Sequence, residues 1–377
     1  MSNPPDPRQE FAREVVARLQ AAGFEALWAG GCVRDLLLGR DASDYDVATS
    51  ATPDKVMQLF RRTIPVGVSF GVVRVLGPRP AGEVEVATFR SDGAYIDGRR
   101  PESVVFGSAE VDASRRDFTI NGMFLDPITN QVLDYVGGRE DLLHRRLRAI
   151  GDPSARFRED KLRLLRAVRF AARFGMEIER TTLDAVQSMA DQVTMVAAER
   201  IAQELRKMLV DRNRARAIDL ARDVGLLPRI ILPLSSLVGD DGREVVPSAW
   251  QRTLGVLDFL PEVTNFPLAF AALMHAITAD PGPTLAASEF LRLANHERDR
   301  ASWLVVNQAV LRAPQSLAVH ELKRWLVVDG IEDLLELQRA IGRASDGTCR
   351  APTTANGTGG SNRTARWIRP PSSPGTT

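Results

Sequence analysis

The chain carries the sequence ALWAGGCVRD at residues 26–35 and DYD at residues 44–46, and these two segments decide the predicted fold. The first four residues are apolar and are followed by glycine, which predicts a short buried strand. Gly30 and Gly31 predict a tight turn into a helix, whose N-terminus offers unpaired backbone N–H groups to a phosphate. Arg34, one turn inside this helix, supplies a guanidinium suited to bidentate contact with phosphate oxygens. The segment therefore predicts a strand–turn–helix unit that binds a phosphate.

Asp44 and Asp46 lie two residues apart, directly before an apolar run. Side chains at positions i and i+2 of a strand share a face, so we expect the two carboxylates to converge. Mg²⁺ is commonly held by one or two carboxylates together with substrate phosphates. Alone, the glycine pair is explained by a turn, and the aspartates by a helix cap or a solvated surface. Together at this spacing they favour metal-dependent phosphoryl or nucleotidyl transfer, with Asp44 and Asp46 as catalytic and metal-binding residues.

The bulk properties are those of an ordinary globular protein. The 377 residues predict two or more domains, and a formal net charge of +1 excludes a global basic field, so any nucleic-acid surface must be local. Cys32 and Cys349 lie far apart and suggest neither a disulfide framework nor a zinc cluster. We expect a cytoplasmic protein without a membrane span, because the N-terminus lacks an apolar signal core and no apolar run approaches spanning length.

Hydrophobic periodicity predicts an α+β fold. A helix is predicted at residues 11–22, a second helix follows Thr52-Pro53, and strands are predicted at 72–76 and 84–88. Helices mixed with antiparallel-looking strands indicate a mixed sheet, and the absence of Gly-x-Gly-x-x-Gly and Walker-type sequences argues against dinucleotide and P-loop folds. From about residue 139 onward the pattern is helical.

Three further features have both a functional and an ordinary interpretation. Glu85, on a predicted neighbouring strand, is a candidate third metal ligand, although glutamates alternating on a strand commonly form its solvent face. The polar segment around Asp97, Arg99 and Arg100 has no periodicity, so it is a functional lid or simply a long connection. Residues 139–173 contain eleven Lys or Arg and five Asp or Glu, so the arginine stripe there is a solvated helix face or a local electropositive surface.

In this order, the motifs resemble those of the class II tRNA nucleotidyltransferase (CCA-adding) and bacterial poly(A) polymerase family. The likeness spans residues 28–173 and includes RRDFTIN at 115–121 and EDKLR at 159–163. It implies a nucleotidyltransferase head with a mixed or antiparallel sheet, followed by an all-helical neck and body. The implied divisions are an N-terminal helix (1–24), the head (25–138), the neck (139–210), a body with a degenerate HD-like region (211–342) and a disordered tail (343–377).

The resemblance also implies roles for individual residues. Asp44 and Asp46, with Glu85, would hold Mg²⁺, and Asp97, Arg99 and Arg100 match the flexible loop involved in switching from C to A addition. Asp160 and Arg163 would pair with the edge of the incoming base, which is chemically sound for a carboxylate and a guanidinium. The implied nucleotide-binding residues are Gly30, Gly31, Arg34, Arg116, Asp160, Arg163, Arg166 and Arg169.

The predicted function is template-independent addition of CCA, or of its terminal A, to the 3′ end of tRNA from CTP and ATP. One alternative is a poly(A) polymerase on the same scaffold, which is disfavoured because residues 66–71 resemble the CCA-type strand. Another is a non-catalytic RNA-binding relative. In the HD-like region Ala276 stands where a metal-binding aspartate would be, so His275 is predicted to be a packed core residue.

Overall fold

The computed structural model describes residues 6–93, 103–238, 247–311 and 314–345, and these fall into two compact units. The first unit ends at Asp160 and the second begins at Lys161. The sequence placed the end of the head at residue 138, whereas the first compact unit also includes the segment that follows.

The first unit combines strands and short helices. Its strands are β1 (Ala26–Ala29), β2 (Asp46–Thr49), β3 (Thr63–Gly67), β4 (Val72–Leu76), β5 (Glu83–Thr88), β6 (Arg90–Asp92), β7 (Val104–Phe106), β8 (Met123–Asp126), β9 (Gln131–Asp134) and β10 (Arg146–Leu147). Its helices are α1 (Pro7–Ala21), α2 (Gly31–Leu37), α3 (Pro53–Leu59), α4 (Ala109–Ser114), α5 (Gly138–Leu143) and α6 (Pro153–Glu159). Short 3₁₀ turns lie at Val68–Phe70 and Thr119–Asn121.

Seven strands form one sheet in the order β3-β4-β5-β2-β1-β8-β9. Neighbouring strands are antiparallel except β2 and β5, which run parallel with Val47 opposite Val86. The sheet is therefore mixed, as predicted. Strands β6 and β7 pair separately as an antiparallel hairpin.

The core of this unit explains why its central strands form. All four residues of β1 are buried, as the apolar run predicted. Phe89 and Phe124 meet edge to face with ring centroids 5.9 Å apart, within a buried cluster on one side of the sheet. At the start of α5, the Asp134 carboxylate accepts hydrogen bonds from four successive backbone N–H groups, those of residues 136–139. This cap lets the chain turn directly from β9 into a helix.

The second unit is almost entirely helical. Its helices are α7 (Leu162–Phe174), α8 (Arg180–Ser188), α9 (Ala198–Leu209), α10 (Arg214–Asp223), α11 (Leu227–Ile230), α12 (Pro247–Phe259), α13 (Phe266–Met274), α14 (Gly282–Phe290), α15 (Asn295–Asn307), α16 (Val319–Leu326) and α17 (Ile331–Ser345). It also contains a short strand, β11 (Glu177–Ile178), and 3₁₀ turns at Ala190–Met195, Leu232–Ser236 and Pro314–Ser316.

Two buried polar residues mark the interior of this unit. The fully buried Arg214 guanidinium donates to the backbone carbonyls of residues 209, 257, 260, 261 and 262, so it satisfies carbonyls left open at two helix ends. His275 follows α13 and is buried, with Nδ1 2.7 Å from the carbonyl oxygen of Ala272.

The last described helix extends beyond the residue at which the disordered tail was predicted to begin. The sequence placed that start at residue 343, but α17 continues to Ser345, and Ala344 is buried. The rest of the predicted tail lies outside the described residues, as do Asp97, Arg99 and Arg100 of the predicted flexible loop. No helix within the described ranges is both long enough and apolar enough to cross a membrane.

Candidate active site

Asp46 is the first residue of β2, and Asp44 lies two residues before it, with Tyr45 between them. Tyr45 is buried and packs against Trp28 of β1, with ring centroids 4.8 Å apart, whereas both aspartates are exposed. The two carboxylates are therefore both open to solvent, on either side of a buried ring.

Glu85 is the neighbour of Asp46 on the adjacent strand. The parallel register that places Val47 opposite Val86 puts Asp46 beside Glu85, and both residues are exposed while the two valines are buried. Asp46 is open to solvent but has protein on several sides. This desolvation raises the pKa of its carboxyl to about 6, with Glu85 and Asp44 acting in the same direction and Arg116 opposing them. The charges of Glu85 and Asp44 therefore both disfavour ionisation of Asp46.

The donor set suits a hard divalent cation that also binds substrate. Among the residues that the structure describes, no three His, Cys, Asp or Glu side chains are gathered closely enough to hold a metal ion by themselves. Mg²⁺ does not require such a cage, because it is usually bound by one or two carboxylates together with substrate phosphates. Asp44, Asp46 and Glu85 fit that requirement as oxygen ligands.

The glycine pair forms the predicted turn between β1 and α2. Gly30 has φ +72°, and α2 begins at Gly31, so the strand–turn–helix prediction is confirmed. A Cβ atom on Gly30 would lie only 2.7 Å from Nη1 of Arg116. Glycine is therefore needed both for the left-handed backbone and for the close approach of this guanidinium.

Arg34 is buried and bound to protein groups. Its Nη1 donates to Oδ1 of Asn121 at 2.6 Å, and its Nε donates to Oδ1 of Asp35 at 2.9 Å. The sequence predicted a guanidinium directed at phosphate. In the structure Arg34 also joins α2 to the 3₁₀ turn at Thr119–Asn121.

Arg116 lies above the glycine turn and close to the carboxylates. Its Nε and Nη2 donate to Oδ2 of Asp112 at 3.2 and 3.0 Å, and its Nη1 donates to the carbonyl of Asn121 at 3.3 Å. Its guanidinium carbon lies 5.1 Å from the centroid of the Phe124 ring. Arg116 therefore occupies a defined position beside Gly30 and within electrostatic reach of Asp46.

Asn121 connects the two arginines predicted to bind nucleotide. Besides accepting from Arg34 and, through its carbonyl, from Arg116, it donates from Nδ2 to Oδ1 of Asp117 at 3.0 Å. Its side chain is buried, so these bonds satisfy its polar atoms away from water. Sequence reasoning quoted Asn121 within the RRDFTIN motif but assigned only Arg116 a role. The polar residue at a fixed offset inside an apolar segment was the signal that could have singled it out.

The predicted base-recognition motif lies at a break between two helices. The sequence pattern is helical from about residue 139 onward, but α6 ends at Glu159, Asp160 is extended (φ −144°, ψ 103°), and α7 begins at Leu162. Asp160 is thus the last residue of the first unit. Arg163 lies in the first turn of α7 in the second unit and is buried.

The arginine stripe of α7 is only partly open to solvent. Nε of Arg169 donates to the buried carboxylate of Glu204 at 2.5 Å, and Nη1 of Arg166 lies 3.9 Å from the same side chain. Arg166 and Arg169 also lie over the ring of Phe170, at 5.0 and 4.2 Å from its centroid. The sequence predicted an electropositive surface, and the structure shows that Glu204 compensates part of that charge.

Comparison with known proteins identifies the family. The protein-family model described as "Poly A polymerase head domain" matches residues 26–148. A second family model, described as "Probable RNA and SrmB-binding site of polymerase A", matches residues 175–236. A CCA-adding enzyme of Geobacillus thermodenitrificans is 36% identical over 338 residues, which cover 84% of this chain and 82% of that protein. The chain belongs to the family of CCA-adding enzymes.

Solved structures of CCA-adding enzymes share the fold. The Bacillus stearothermophilus CCA-adding enzyme in complex with CTP matches with a TM-score of 0.72 and 30% identity, covering 97% of this chain and 81% of that one. A tRNA nucleotidyltransferase complexed with a primer tRNA and an incoming ATP analogue matches with a TM-score of 0.67 at 21% identity, covering 88% of this chain and 97% of that one. The predicted α+β head followed by a helical region is confirmed.

Membership of the CCA-adding enzyme family makes the chain a nucleotidyltransferase. Enzymes of this class use a divalent metal ion, and the exposed carboxylates of Asp44, Asp46 and Glu85 are chemically suited to such an ion. The region that matches the head-domain family model includes all three of these residues, together with Arg34 and Arg116.

Proposed function

We propose that this chain adds cytidine and adenosine nucleotides to the 3′ end of tRNA, completing CCA or its terminal A from CTP and ATP without a nucleic-acid template. The observation that carries the proposal is the group of exposed carboxylates at Asp44, Asp46 and Glu85, with Arg116 beside it, in a head domain of the CCA-adding family. The CTP bound to the Bacillus stearothermophilus relative and the primer tRNA bound to the second structural neighbour support these substrate classes.

Asp44 and Asp46, with Glu85, are proposed to bind Mg²⁺. When two such ions are bound, one would lower the pKa of the RNA 3′-hydroxyl and the other would neutralise the triphosphate as pyrophosphate leaves. The protein's own contribution would be the arrangement of these side chains: Asp44 and Asp46 flank the buried Tyr45, and β5 presents Glu85 beside Asp46.

The nucleotide is proposed to lie against the glycine turn. Gly30 and Gly31 leave room for the triphosphate, and Arg116 would present its guanidinium to the ribose from a fixed position. Arg34 would contact the triphosphate from within its buried network, or would hold Asn121 and the turn in place. Asp160 and Arg163 are proposed to read the base, with Arg166 and Arg169 as further contacts on α7.

We propose the cytoplasm as the site of this reaction. The free thiol of Cys32 is buried next to the glycine turn, and burial raises its pKa to about 12, so it is a packed thiol compatible with a reducing compartment.

The proposal is tested by supplying CTP and ATP separately and then together to a tRNA that lacks its CCA end. We expect incorporation of cytidine from CTP alone and of a terminal adenosine only after cytidine has been added. An enzyme restricted to completing the end would instead add adenosine only to tRNA that already ends in CC. A poly(A) polymerase would ignore CTP and add adenosine runs, and a non-catalytic relative would release no pyrophosphate with either nucleotide.

A further inference from the structure

Asp112 is a buried carboxylate between the two arginines of the RRDFTIN motif. It lies in α4 and is 1% exposed. Its Oδ1 accepts from Nε and Nη2 of Arg115 at 2.9 and 2.7 Å, and its Oδ2 accepts from Nε and Nη2 of Arg116 at 3.2 and 3.0 Å. Each guanidinium therefore binds a different oxygen of the same carboxylate.

The charge state of Asp112 follows from these contacts. Burial acts to raise its pKa, but the guanidinium groups of Arg116 and Arg115 outweigh this effect and lower the pKa below its usual range. Hydrogen bonds between ionised partners are stronger and more directional than neutral ones. Asp112 is thus a fixed anion against which both arginines are oriented.

The two arginines point to different parts of the first unit. Arg115 continues to Oδ2 of Asp92 in the β6–β7 hairpin, at 3.4 Å, and so ties α4 to that hairpin. Arg116 extends in the other direction, over Phe124 and the Gly30 turn. Of the two, Arg116 is the one that approaches the Gly30 turn, where a Cβ would lie 2.7 Å from its Nη1.

We propose that Asp112 is a positioning residue for nucleotidyl transfer, which holds the Arg116 guanidinium in the orientation that meets the bound nucleotide. The inference rests on the proposed function, because it assigns Asp112 an effect on nucleotide binding through Arg116. Asp112 itself is only 1% exposed, so it would act on the nucleotide through Arg116 and not by direct contact. Nη1 of Arg116 donates to the Asn121 carbonyl, whereas its Nε and Nη2 donate to Asp112, so loss of the Asp112 carboxylate removes the acceptor of that edge.

A double-mutant cycle separates this role from a purely structural one. The variants are Asp112→Leu, which keeps the branching at Cγ but replaces both acceptor oxygens with methyl groups, Arg116→Met, and the combination of the two. Steady-state incorporation of CTP and ATP into tRNA lacking its end gives KM and kcat for each. We expect Asp112→Leu to raise the KM for both nucleotides about 10-fold or more, in line with the loss of an oriented charge-assisted contact. In the Arg116→Met background, the same change is expected to raise KM no further, because a residue that acts through another has no effect once that partner is gone.

Two controls address folding and local charge. Thermal unfolding of each variant reports any loss of stability, and all assays are run well below the lowest Tm. Glu110→Leu removes an exposed carboxylate from the same helix and is expected to leave KM unchanged. If Asp112→Leu does not fold, the same cycle is measured with Asp112→Asn, which keeps the size of the side chain and removes its charge.

The outcomes are distinct. The proposal is supported if Asp112→Leu raises KM in the otherwise wild-type chain but causes no further increase in the Arg116→Met background. A lowered Tm with wild-type KM, or KM increases that multiply in the double variant, would show that Asp112 is structural or acts independently of Arg116. A wild-type chain that incorporates neither nucleotide would contradict the proposed function itself.

Discussion

At the scale of single residues, the arginines near the candidate site are already held by protein groups. Arg34 is bound to Asn121 and Asp35, Arg116 to Asp112, and Arg169 to Glu204. Side chains fixed in this way do not have to be ordered when a charged substrate arrives, and such preorganisation favours both binding and catalysis.

The Arg169–Glu204 pair gives a stability prediction. Both side chains are buried, so replacing Arg169 with Met leaves the Glu204 charge with the more distant Arg166 and the partly exposed Lys207. Removing one partner of a buried ion pair costs about 3–5 kcal/mol, and we expect a loss of unfolding free energy towards the lower end of that range. Urea unfolding of the full chain measures it.

The matched control lies on the same helix. Arg173 is 46% exposed and its Nε lies 3.8 Å from Asp211, so Arg173→Met is expected to cost less than about 1 kcal/mol. Equal losses for the two variants would show that burial of the Arg169 pair does not determine its contribution.

At the scale of elements, the start of α8 gives a pH prediction. Desolvation acts to raise the pKa of Glu179, but hydrogen bonds from the N–H and hydroxyl groups of Thr181 and Thr182 outweigh it and lower the pKa to about 2. Because the folded-state pKa lies below the unfolded value, the stabilisation is present above about pH 4.5 and is lost as the pH falls towards 2.

Replacing Glu179 with Gln is therefore expected to weaken the dependence of stability on pH. Its Tm should lie below that of the wild type at pH 6, and the difference should shrink as the pH is lowered to 3. Glu177→Gln removes an exposed charge two residues earlier without removing a helix cap, and its curve should follow that of the wild type. A constant Tm difference at all pH values would refute the assignment of Glu179 as a charged N-cap.

The start of α5 gives a packing prediction. A Cβ on Gly138 would lie 2.3 Å from the carbonyl oxygen of Thr119, in the turn that carries Asn121. Gly138→Ala should therefore push α5 away from this turn and destabilise the protein by about 1–3 kcal/mol. Gly342→Ala, in α17, meets no atom within 4 Å and should instead stabilise the helix by about 0.5–1 kcal/mol. Thermal unfolding of both variants tests these two predictions. They would be contradicted if Gly342→Ala were destabilised while Gly138→Ala kept the wild-type stability.

At the scale of the whole molecule, the sequence predicted what depends on neighbouring residues. The glycine turn, the strand before it and the mixed sheet were all predicted, because glycine placement and period-two burial are local signals. Partnerships between distant residues were not predicted, since Arg34 and Asn121 lie 87 positions apart and Arg169 and Glu204 lie 35 apart. The sequence therefore suggested that the arginine side chains of α7 are more exposed to solvent than they are in the structure.

The boundary of the first unit also depends on distant contacts. The family resemblance implied a head that ends at residue 138, but Phe118 pairs with Ala149, and Arg148 bonds to the buried Asp141 at 2.9 Å. These contacts join the segment after residue 138 to the first unit. The motifs alone do not reveal them, because Phe118 and Ala149 lie far apart along the chain.

The most direct test of the central claim compares the wild type with Asp46→Ala in Mg²⁺-dependent incorporation of CTP into tRNA lacking its end, with Asp41→Ala as an exposed control from the same loop. We expect the wild type and Asp41→Ala to add cytidine and release pyrophosphate. Asp46→Ala should add none while keeping the wild-type Tm, because Asp46 is exposed and its loss leaves no cavity. Retained incorporation by folded Asp46→Ala protein would contradict the account.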